Sequence, residues 1–173
     1  MKEMWDKKAA SYPRFTGEPS VFRRGLYAKI AEFGVKFENK SVVDIGCGTG
    51  VHTLFLAQIC HEITGMDISG EMLKVMLEDA AKFNISNLTA VQSDFKNFNP
   101  NRVYDVAFST MSPAIADEED FVKFINLGEK RVYLWWNKPR NSSVLELFYE
   151  GSEKRCFKEK ANFFEEYLRR KNI

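Results

Sequence analysis

The sequence predicts an α/β fold: a three-layer α/β/α sandwich built on a mostly parallel sheet. Strand-like and helix-like patterns alternate from about residue 41 onward, which is typical of parallel strands joined by covering helices. Short β-branched runs are separated by longer segments that carry apolar residues at helical spacing. The 173 residues, of which 45% are hydrophobic and 28% charged, are enough for one domain with a substantial core.

Five strands can be placed along the chain. They are predicted at residues 42–45, 62–68, 88–92, 103–109 and 131–136. Helices are predicted after the first strand, after Ser69 as an N-cap, and at about residue 118, the last one ended by Gly128 at its C′ position. A final helix is predicted over residues 158–171.

Apolar residues at helical spacing mark two of the predicted helices. A leading helix ends near Gly34, and its stripe consists of Phe22, Leu26, Tyr27, Ile30 and Phe33. The stripe of the helix after Ser69 consists of Met72, Leu73, Met76, Leu77, Ala80 and Phe83.

Composition and charge narrow the classes of function. The 25 basic and 24 acidic residues nearly cancel, so nucleic acid is an unlikely partner, although it is not excluded. No secretory leader and no run of 18 apolar residues occurs, so we expect a soluble, cytoplasmic protein without a membrane partner. Cys47, Cys60 and Cys156 lack metal-like spacing and are expected to be free thiols. We expect no metal site and see no hydrolytic constellation.

The most informative run is Val-Val-Asp-Ile-Gly-Cys-Gly-Thr-Gly at residues 42–50. Its apolar β-branched residues predict a buried strand, and Gly46, Gly48 and Gly50 then open a turn into a helix. The absent side chains allow a ligand to approach the backbone, and the free N–H groups favour a negative ligand group. In the dinucleotide fingerprint the third glycine comes one residue later, so the compressed spacing indicates a different ligand.

Acidic residues follow the next two strands, at the edge where open α/β sheets bind ligands. Asp67 lies 17 residues after Gly50, where a carboxylate can accept hydrogen bonds from both hydroxyls of a ribose. A helix-capping or surface aspartate is the alternative interpretation. Asp94 and Phe95 follow the third strand, where an ordinary turn is the alternative.

This ordered set resembles the class I S-adenosylmethionine (SAM) dependent methyltransferase superfamily, in particular its small-molecule type. The resemblance implies a Rossmann-like fold with SAM as the cofactor. It places Asp44 near the methionine part of SAM, Asp67 at the ribose, and Asp94 with Phe95 at the adenine. The expected cofactor-binding residues are Asp44, Gly46, Cys47, Gly48, Gly50, Asp67, Ile68, Asp94, Phe95 and Ser109.

The resemblance also suggests where the methyl acceptor binds. Family members place that site after the fourth strand, here at residues 108–115, which lack the Asn-Pro-Pro-Tyr signature of enzymes that methylate amide or adenine nitrogens. A simple strand-to-helix turn is the alternative. The N-terminal segment with Trp5 resembles the lid of small-molecule members, or is a plain docking helix. The expected substrate-binding residues are Tyr12, Thr110, Met111, Ser112 and Trp136.

No catalytic residue is assigned. His52 follows the glycine turn and either touches the carboxylate of the cofactor or faces solvent. A dedicated general base is optional, because alignment of the reacting groups supplies most of what in-line methyl transfer needs.

We therefore expect a single SAM-binding methyltransferase domain over residues 1–173, with a lid and leading helix at 1–35, a core sheet at 41–136 and C-terminal helices at 140–173. It would transfer a methyl group to a small-molecule acceptor. The alternatives are a non-catalytic SAM-binding or scaffold protein, or a methyltransferase acting on nucleic acid or protein. The hairpin of strands 6 and 7 that the family usually adds is expected to be missing, which would expose the fifth strand as an edge for a homodimer.

Overall fold

The computed structural model describes residues 1–135 and 164–170. The chain forms two compact units, Met1–Tyr133 and Leu134–Ile173. In the second unit residues 164–170 are helical, in agreement with the predicted final helix, and Arg169 pairs with Glu165 one turn earlier. Trp136, residues 140–163 and any further hairpin lie outside the described residues.

The first unit is built around a parallel sheet. Its strands are β1 (Ser41–Ile45), β2 (Glu62–Asp67), β3 (Leu88–Gln92), β4 (Tyr104–Thr110) and β5 (Gly128–Leu134). They lie in the order β3-β2-β1-β4-β5. β1 pairs in parallel with β2 and β4, and β2 pairs in parallel with β3, so the predicted α/β fold is confirmed.

The strand order reverses at β1, because β2 and β3 lie on one side of it and β4 and β5 on the other. Open α/β sheets bind ligands at such a reversal, outside the carboxyl ends of the strands. All five residues of β1 are buried, as expected for a central parallel strand that is covered on both faces. The carboxyl end of β1 is therefore the natural position for a site.

Helices flank the sheet. They are α1 (Lys2–Lys8), α2 (Val21–Glu32), α3 (Val51–Ala57), α4 (Gly70–Lys82) and α5 (Glu118–Asn126). The predicted N-cap at Ser69 is confirmed, since its Oγ accepts a hydrogen bond from the backbone N–H of Met72 at 3.2 Å. None of the helices in the described ranges has the length and apolar run that a membrane crossing requires.

The α4 stripe packs largely as predicted. Its residues Leu73, Met76 and Ala80 join Phe15 and Leu54 in one buried cluster. Leu77 is the exception, because 48% of its surface is exposed. Phe15 of the N-terminal segment thus packs against α4 in the hydrophobic core.

The predicted stripe of α2 is wrong at its two ends. Phe22 and Phe33 are each 77% exposed, whereas Ile30 is buried. Helical spacing identified the correct helix, but only Ile30 of this stripe is buried and Tyr27 is half-buried, so the buried face is narrower than the sequence suggested.

The prediction that Gly128 follows α5 as its C′ residue is confirmed, because α5 ends at Asn126 and Leu127 is its C-cap. Leu127 has right-handed helical angles, and Gly128 begins β5. A Cβ on Gly128 would lie 2.5 Å from the backbone nitrogen of Ala107 in β4. Glycine is required here because β4 and β5 approach each other closely. Formation of a homodimer through β5, which the sequence suggested, stays a prediction.

Gly128→Ala should therefore destabilise the protein by about 1–3 kcal/mol, the usual cost of overpacking, because the clash is with backbone that cannot move aside. Gly25→Ala is the matched control. Gly25 lies inside α2 with nothing within 4 Å of its Cβ position, so alanine should stabilise the helix by about 0.5–1 kcal/mol. Urea unfolding followed by circular dichroism measures both changes, and equal stabilities of the two variants would contradict this role of Gly128.

Candidate functional site

Residues 46–50 form a loop at the carboxyl end of β1, which we call the glycine loop. Gly46, Gly48 and Gly50 have φ angles of 72°, 56° and 78°, a region that other residues rarely adopt. The N–H groups of Gly46 and Cys47 both donate to the Met66 carbonyl, at 2.7 and 3.0 Å. The loop therefore folds back over the end of β2.

The three glycines are required for different reasons. A Cβ on Gly46 would overlap the side chain of Ser112, and one on Gly50 would overlap the side chain of Met76. At Gly48 the nearest atom to a Cβ is a ring carbon of Tyr12, 4.0 Å away. Gly46 and Gly50 thus allow close packing inside the protein, whereas a side chain at Gly48 would meet only the ring of Tyr12, at van der Waals distance.

Asp67 joins the end of β2 to the glycine loop. Its Oδ2 accepts a hydrogen bond from the N–H of Gly48 at 2.9 Å, and its Oδ1 accepts one from the N–H of Ser69 at 2.9 Å. Burial raises the pKa of Asp67, and the negative charge of Asp6 acts in the same direction. The two backbone bonds fix the carboxylate, and each oxygen keeps a lone pair for a ligand hydroxyl.

Asp44 lies at the end of β1, beside the glycine loop, and is only 2% exposed. Its Oδ2 accepts a hydrogen bond from Thr53 Oγ1 of α3 at 2.6 Å. Burial raises the pKa of Asp44 to about 7, although the Thr53 bond opposes this shift. Because a nearby positive charge would favour the carboxylate form, Asp44 is suited to a cationic ligand group.

The N-terminal strap, residues 1–17, reaches the glycine loop. The Trp5 and Tyr12 rings pack edge to face with centroids 6.1 Å apart. Thr49 Oγ1 of the loop donates to the carbonyl of Pro13 at 2.5 Å. These contacts place Tyr12 beside Gly48, and the lid role of this segment stays a prediction.

Two further contacts anchor the strap to α4. The Arg14 guanidinium binds the buried carboxylate of Asp79 at 2.8 to 3.1 Å, and Asp79 also accepts from the N–H of Phe15. Asp6 of α1 accepts from Ser69 Oγ at 2.6 Å. The strap is therefore attached at both of its ends, next to Asp67 and along α4.

Tyr27 of α2 and His52 of α3 form a pair that the sequence did not predict. The Tyr27 hydroxyl lies 2.8 Å from His52 Nδ1, and the Tyr27 ring stacks on Phe55 at 4.5 Å. The His52 ring also lies 5.7 Å from that of Phe108 in β4. Burial lowers the pKa of His52 to about 4, with the positive charge of Arg23 adding to the effect, so the imidazole is neutral at pH 7.

Asp94 adopts the turn that the sequence analysis gave as the alternative. Its Oδ1 accepts from the N–H of Asn97 and its Oδ2 from the Asn97 side-chain amide, both at 2.9 Å. These bonds lower the pKa of Asp94. The Phe95 ring is buried beneath the Lys123 ammonium, and the N–H of Ser93 donates to the Asp67 carbonyl at 3.0 Å, which holds this turn beside Asp67.

Cys47 and Ile68 border the same region. The Cys47 thiol lies 3.8 Å from the Gly48 carbonyl, and burial raises its pKa well above the ordinary value, so the thiol is unreactive. Ile68 is half-buried and its carbonyl accepts from the Gln92 side chain at 3.4 Å. No group of three metal-ligating side chains occurs in the described ranges.

Ser109 and Ser112 are tied into the protein. Ser109 is fully buried and donates to the Ile45 carbonyl at 3.0 Å, which links β4 to β1. Ser112 is 6% exposed, and its Oγ accepts from the N–H of Ala114 at 3.2 Å while filling the space opposite Gly46. Both residues position the loop after β4 against the glycine loop.

Thr110 and Met111 are the more accessible residues after β4. Thr110 is half-buried, and Met111 is 41% exposed. Met111 has a φ of 50°, which is unusual for a residue with a long side chain and costs about 1–2 kcal/mol. The acceptor-binding role of this loop stays a prediction.

Comparison with known proteins identifies the same region. Residues 42–127 match the family model of the methyltransferase domain. The chain is 32% identical over 71 residues to a probable (S)-tetrahydroprotoberberine N-methyltransferase of Papaver bracteatum, covering 39% of this chain and 20% of that one. It is 27% identical over 126 residues to ribosomal RNA small subunit methyltransferase A of Mesomycoplasma hyopneumoniae, covering 67% and 47%.

A solved SAM-dependent methyltransferase from Aquifex aeolicus has a similar fold, with a TM-score of 0.55, 17% identity and 67% of each chain covered. The chain spans about half or less of the length of the curated relatives it matches. The matched residues 42–127 include the glycine loop, Asp67 and Asp94, which are the positions that carried the resemblance. The chain therefore belongs to the class I SAM-dependent methyltransferase superfamily.

Proposed function

We propose that this protein transfers a methyl group from SAM to a small-molecule acceptor. One observation carries the proposal: at the carboxyl ends of β1 and β2 the N–H of Gly48 binds Asp67, and Tyr12 is the side chain nearest to Gly48. A ligand there meets an accessible backbone and a fixed acid, with the buried acid Asp44 at the end of the adjoining strand. SAM offers ribose hydroxyls and a cationic amino-acid end to match them.

The residues fit the parts of SAM in order along the sheet edge. Asp67 would accept hydrogen bonds from the ribose hydroxyls, and Gly48 would allow the sulfonium end to approach the backbone. Asp44 would face the positive charge of that end. The turn at Asp94 and Phe95 would meet the adenine, since Ser93 holds it beside Asp67.

The cofactor, when bound, supplies an electrophilic methyl group on a good leaving group. What this chain supplies is alignment and exclusion of water. Tyr12 and the strap would cover a cofactor bound at Gly48. The glycine loop would fix the direction of the methyl group of that cofactor. Effective molarities for well-aligned groups reach about 10⁵ M or more, so no dedicated base is needed for an acceptor that is already nucleophilic.

A small-molecule acceptor is favoured over nucleic acid by the charges near the strap. Nucleic-acid binding relies on accessible cations that neutralise phosphates. Arg14 is instead paired with Asp79, and Lys2 with Asp6. The likeness to an RNA methyltransferase keeps an RNA acceptor as the second candidate, and a SAM-binding protein without activity is the third. Methyl transfer from labelled SAM to amine, thiol and hydroxyl acceptors, with RNA as a parallel substrate, separates the three.

Gly48→Ala tests the proposed position of the ligand. Alanine at a φ of 56° should cost about 1–2 kcal/mol of stability, and its methyl group would occupy the space assigned to SAM. We therefore expect calorimetric titration to show at least a tenfold weaker affinity for SAM. Gly34→Ala is the matched control, because Gly34 has a φ of 76° and nothing within 4 Å of its Cβ position. Unchanged SAM affinity in Gly48→Ala, or equal losses in both variants, would contradict the assignment.

The affinity for SAM should rise between pH 5 and 7 and then level off. In the free protein the pKa of Asp44 is about 7, above its ordinary value of 3.8. The positive end of SAM favours the carboxylate form, so binding below pH 7 releases a proton, and affinity gains at most about one log unit per pH unit from this group. Titrations in buffers of different ionisation enthalpy measure the proton release.

Asp44→Asn is the control for this pH dependence. Asparagine keeps an acceptor for the Thr53 hydroxyl but cannot ionise, so the affinity for SAM should depend less steeply on pH. The ionisation of Asp44 also makes the free energy of unfolding depend on pH. Because the pKa of Asp44 is raised in the folded protein, the stabilisation from its protonated form is present below the unfolded-state pKa and is lost as the pH rises through about 7. A wild-type slope that Asp44→Asn leaves unchanged would show that another group is responsible.

A further inference from the structure

Lys123 of α5 holds the turn that follows β3. Its ammonium donates a hydrogen bond to the Phe95 carbonyl at 2.7 Å and another to the Lys96 carbonyl at 2.9 Å. The same Nζ lies 5.1 Å from the centroid of the Phe95 ring. These contacts join residues 27 and 28 positions apart in the chain, so α5 fixes the conformation of the turn from outside it.

The carboxylate of Asp94 lies at the other end of one of these peptide groups. The Lys96 carbonyl and the Asn97 N–H belong to the same peptide group, and that N–H donates to Asp94 Oδ1 at 2.9 Å. The peptide group therefore has the ammonium of Lys123 at its oxygen and the carboxylate of Asp94 at its hydrogen. Hydrogen bonds that form such a chain polarise and strengthen one another. The two bonds from Asn97 lower the pKa of Asp94, and the positive charge of Lys123 lowers it further.

Lys123 differs from Lys96, the lysine of the turn itself. The Lys96 ammonium pairs with Asp117 at 3.1 Å, and both side chains are exposed, so this ion pair holds the turn only weakly. Lys123 is half-buried, and burial lowers the pKa of its ammonium. The two backbone carbonyls replace the water that this ammonium loses. Lys123 is therefore the stronger of the two connections between α5 and the turn.

The position of Asp94 determines which base the turn accepts. In the proposed function the turn meets the adenine of SAM, whose exocyclic amine donates hydrogen bonds. Asp94 is exposed, and each of its oxygens accepts one bond from Asn97 and keeps a lone pair. A fixed carboxylate accepts from an amino group, whereas it repels the carbonyl oxygen that hypoxanthine carries at the same ring position. Selection of adenine therefore depends on how firmly the turn holds Asp94.

We propose that Lys123 is a positioning residue for adenine recognition, because the two carbonyls that it holds keep the Asp94 carboxylate directed at the exocyclic amine of the base. This inference rests on the proposed function. It extends the cofactor site to α5, although Lys123 itself would touch no part of the cofactor.

Calorimetric titration of S-adenosylhomocysteine and of S-inosylhomocysteine tests the proposal, because the second ligand carries hypoxanthine in place of adenine. Lys123→Met should weaken binding of the adenosyl ligand about 3- to 10-fold, the usual effect of losing one hydrogen bond, and should leave the lower affinity for the inosyl ligand unchanged. Lys123→Arg can still donate to both carbonyls and should retain most of the preference for adenine. Thermal unfolding of each variant checks that the fold is retained.

Lys82→Met is the matched control. Lys82 is an exposed lysine in the last turn of α4, and its ammonium lies 5.3 Å from the centroid of the Phe83 ring. The variant therefore removes the same charge and the same kind of ring contact as Lys123→Met, but it leaves the turn at Asp94 intact. It should change the affinity for neither ligand.

A double-mutant cycle with Asp94→Ala tests whether Lys123 acts through Asp94. In the Asp94→Ala background, Lys123→Met should have no further effect on the preference for the adenosyl ligand. A wild type without that preference, equal losses for both ligands in Lys123→Met, no loss for either, or additive effects in the cycle would overturn the proposal. Failure of the wild type to bind S-adenosylhomocysteine would instead overturn the proposed function.

Discussion

The hydrogen bond from the Gly48 N–H to Asp67 Oδ2, 2.9 Å long, is the interaction on which the site depends. It joins the loop after β1 to the acid that ends β2, and it requires the left-handed conformation that glycine allows. With the loop held in this way, Gly48 lies next to Tyr12 and to the carboxylate of Asp67. One bond thereby places an accessible backbone and a fixed acid side by side at the centre of the sheet.

The site has two halves that come from different parts of the chain. The carboxyl ends of β1 and β2 supply Asp44, the glycine loop and Asp67. The residues before β1 would supply the cover, through Tyr12. The strap is attached to α4 by Arg14 and Asp79 and is therefore part of the packed protein. The family model begins at residue 42, so it includes Asp44 and Asp67 but not Tyr12 of the strap.

Features set by neighbouring residues could be predicted from the sequence. The strand at residues 42–45, the glycine turn and the Ser69 cap depend on local conformation, and each was placed correctly. Gly128 was correctly placed at the C′ position of α5, but its close approach to Ala107 in another strand could not be inferred from the order of residues. The Tyr27–His52 pair was missed for the same reason, since its members lie on separate helices. Asp94 was assigned to the adenine by resemblance, and the turn that it forms with Asn97 neither requires nor prevents that role.

The central claim is that Asp67 and the glycine loop form the binding site for SAM. The most direct measurement is calorimetric titration of SAM into the wild type, Asp67→Ala and Asp105→Ala, the last altering an acid that binds Ser41 at the opposite end of the sheet. The account predicts a loss of about 1.5–3 kcal/mol in binding free energy for Asp67→Ala and none for Asp105→Ala. Equal affinities of the wild type and Asp67→Ala for SAM would contradict it.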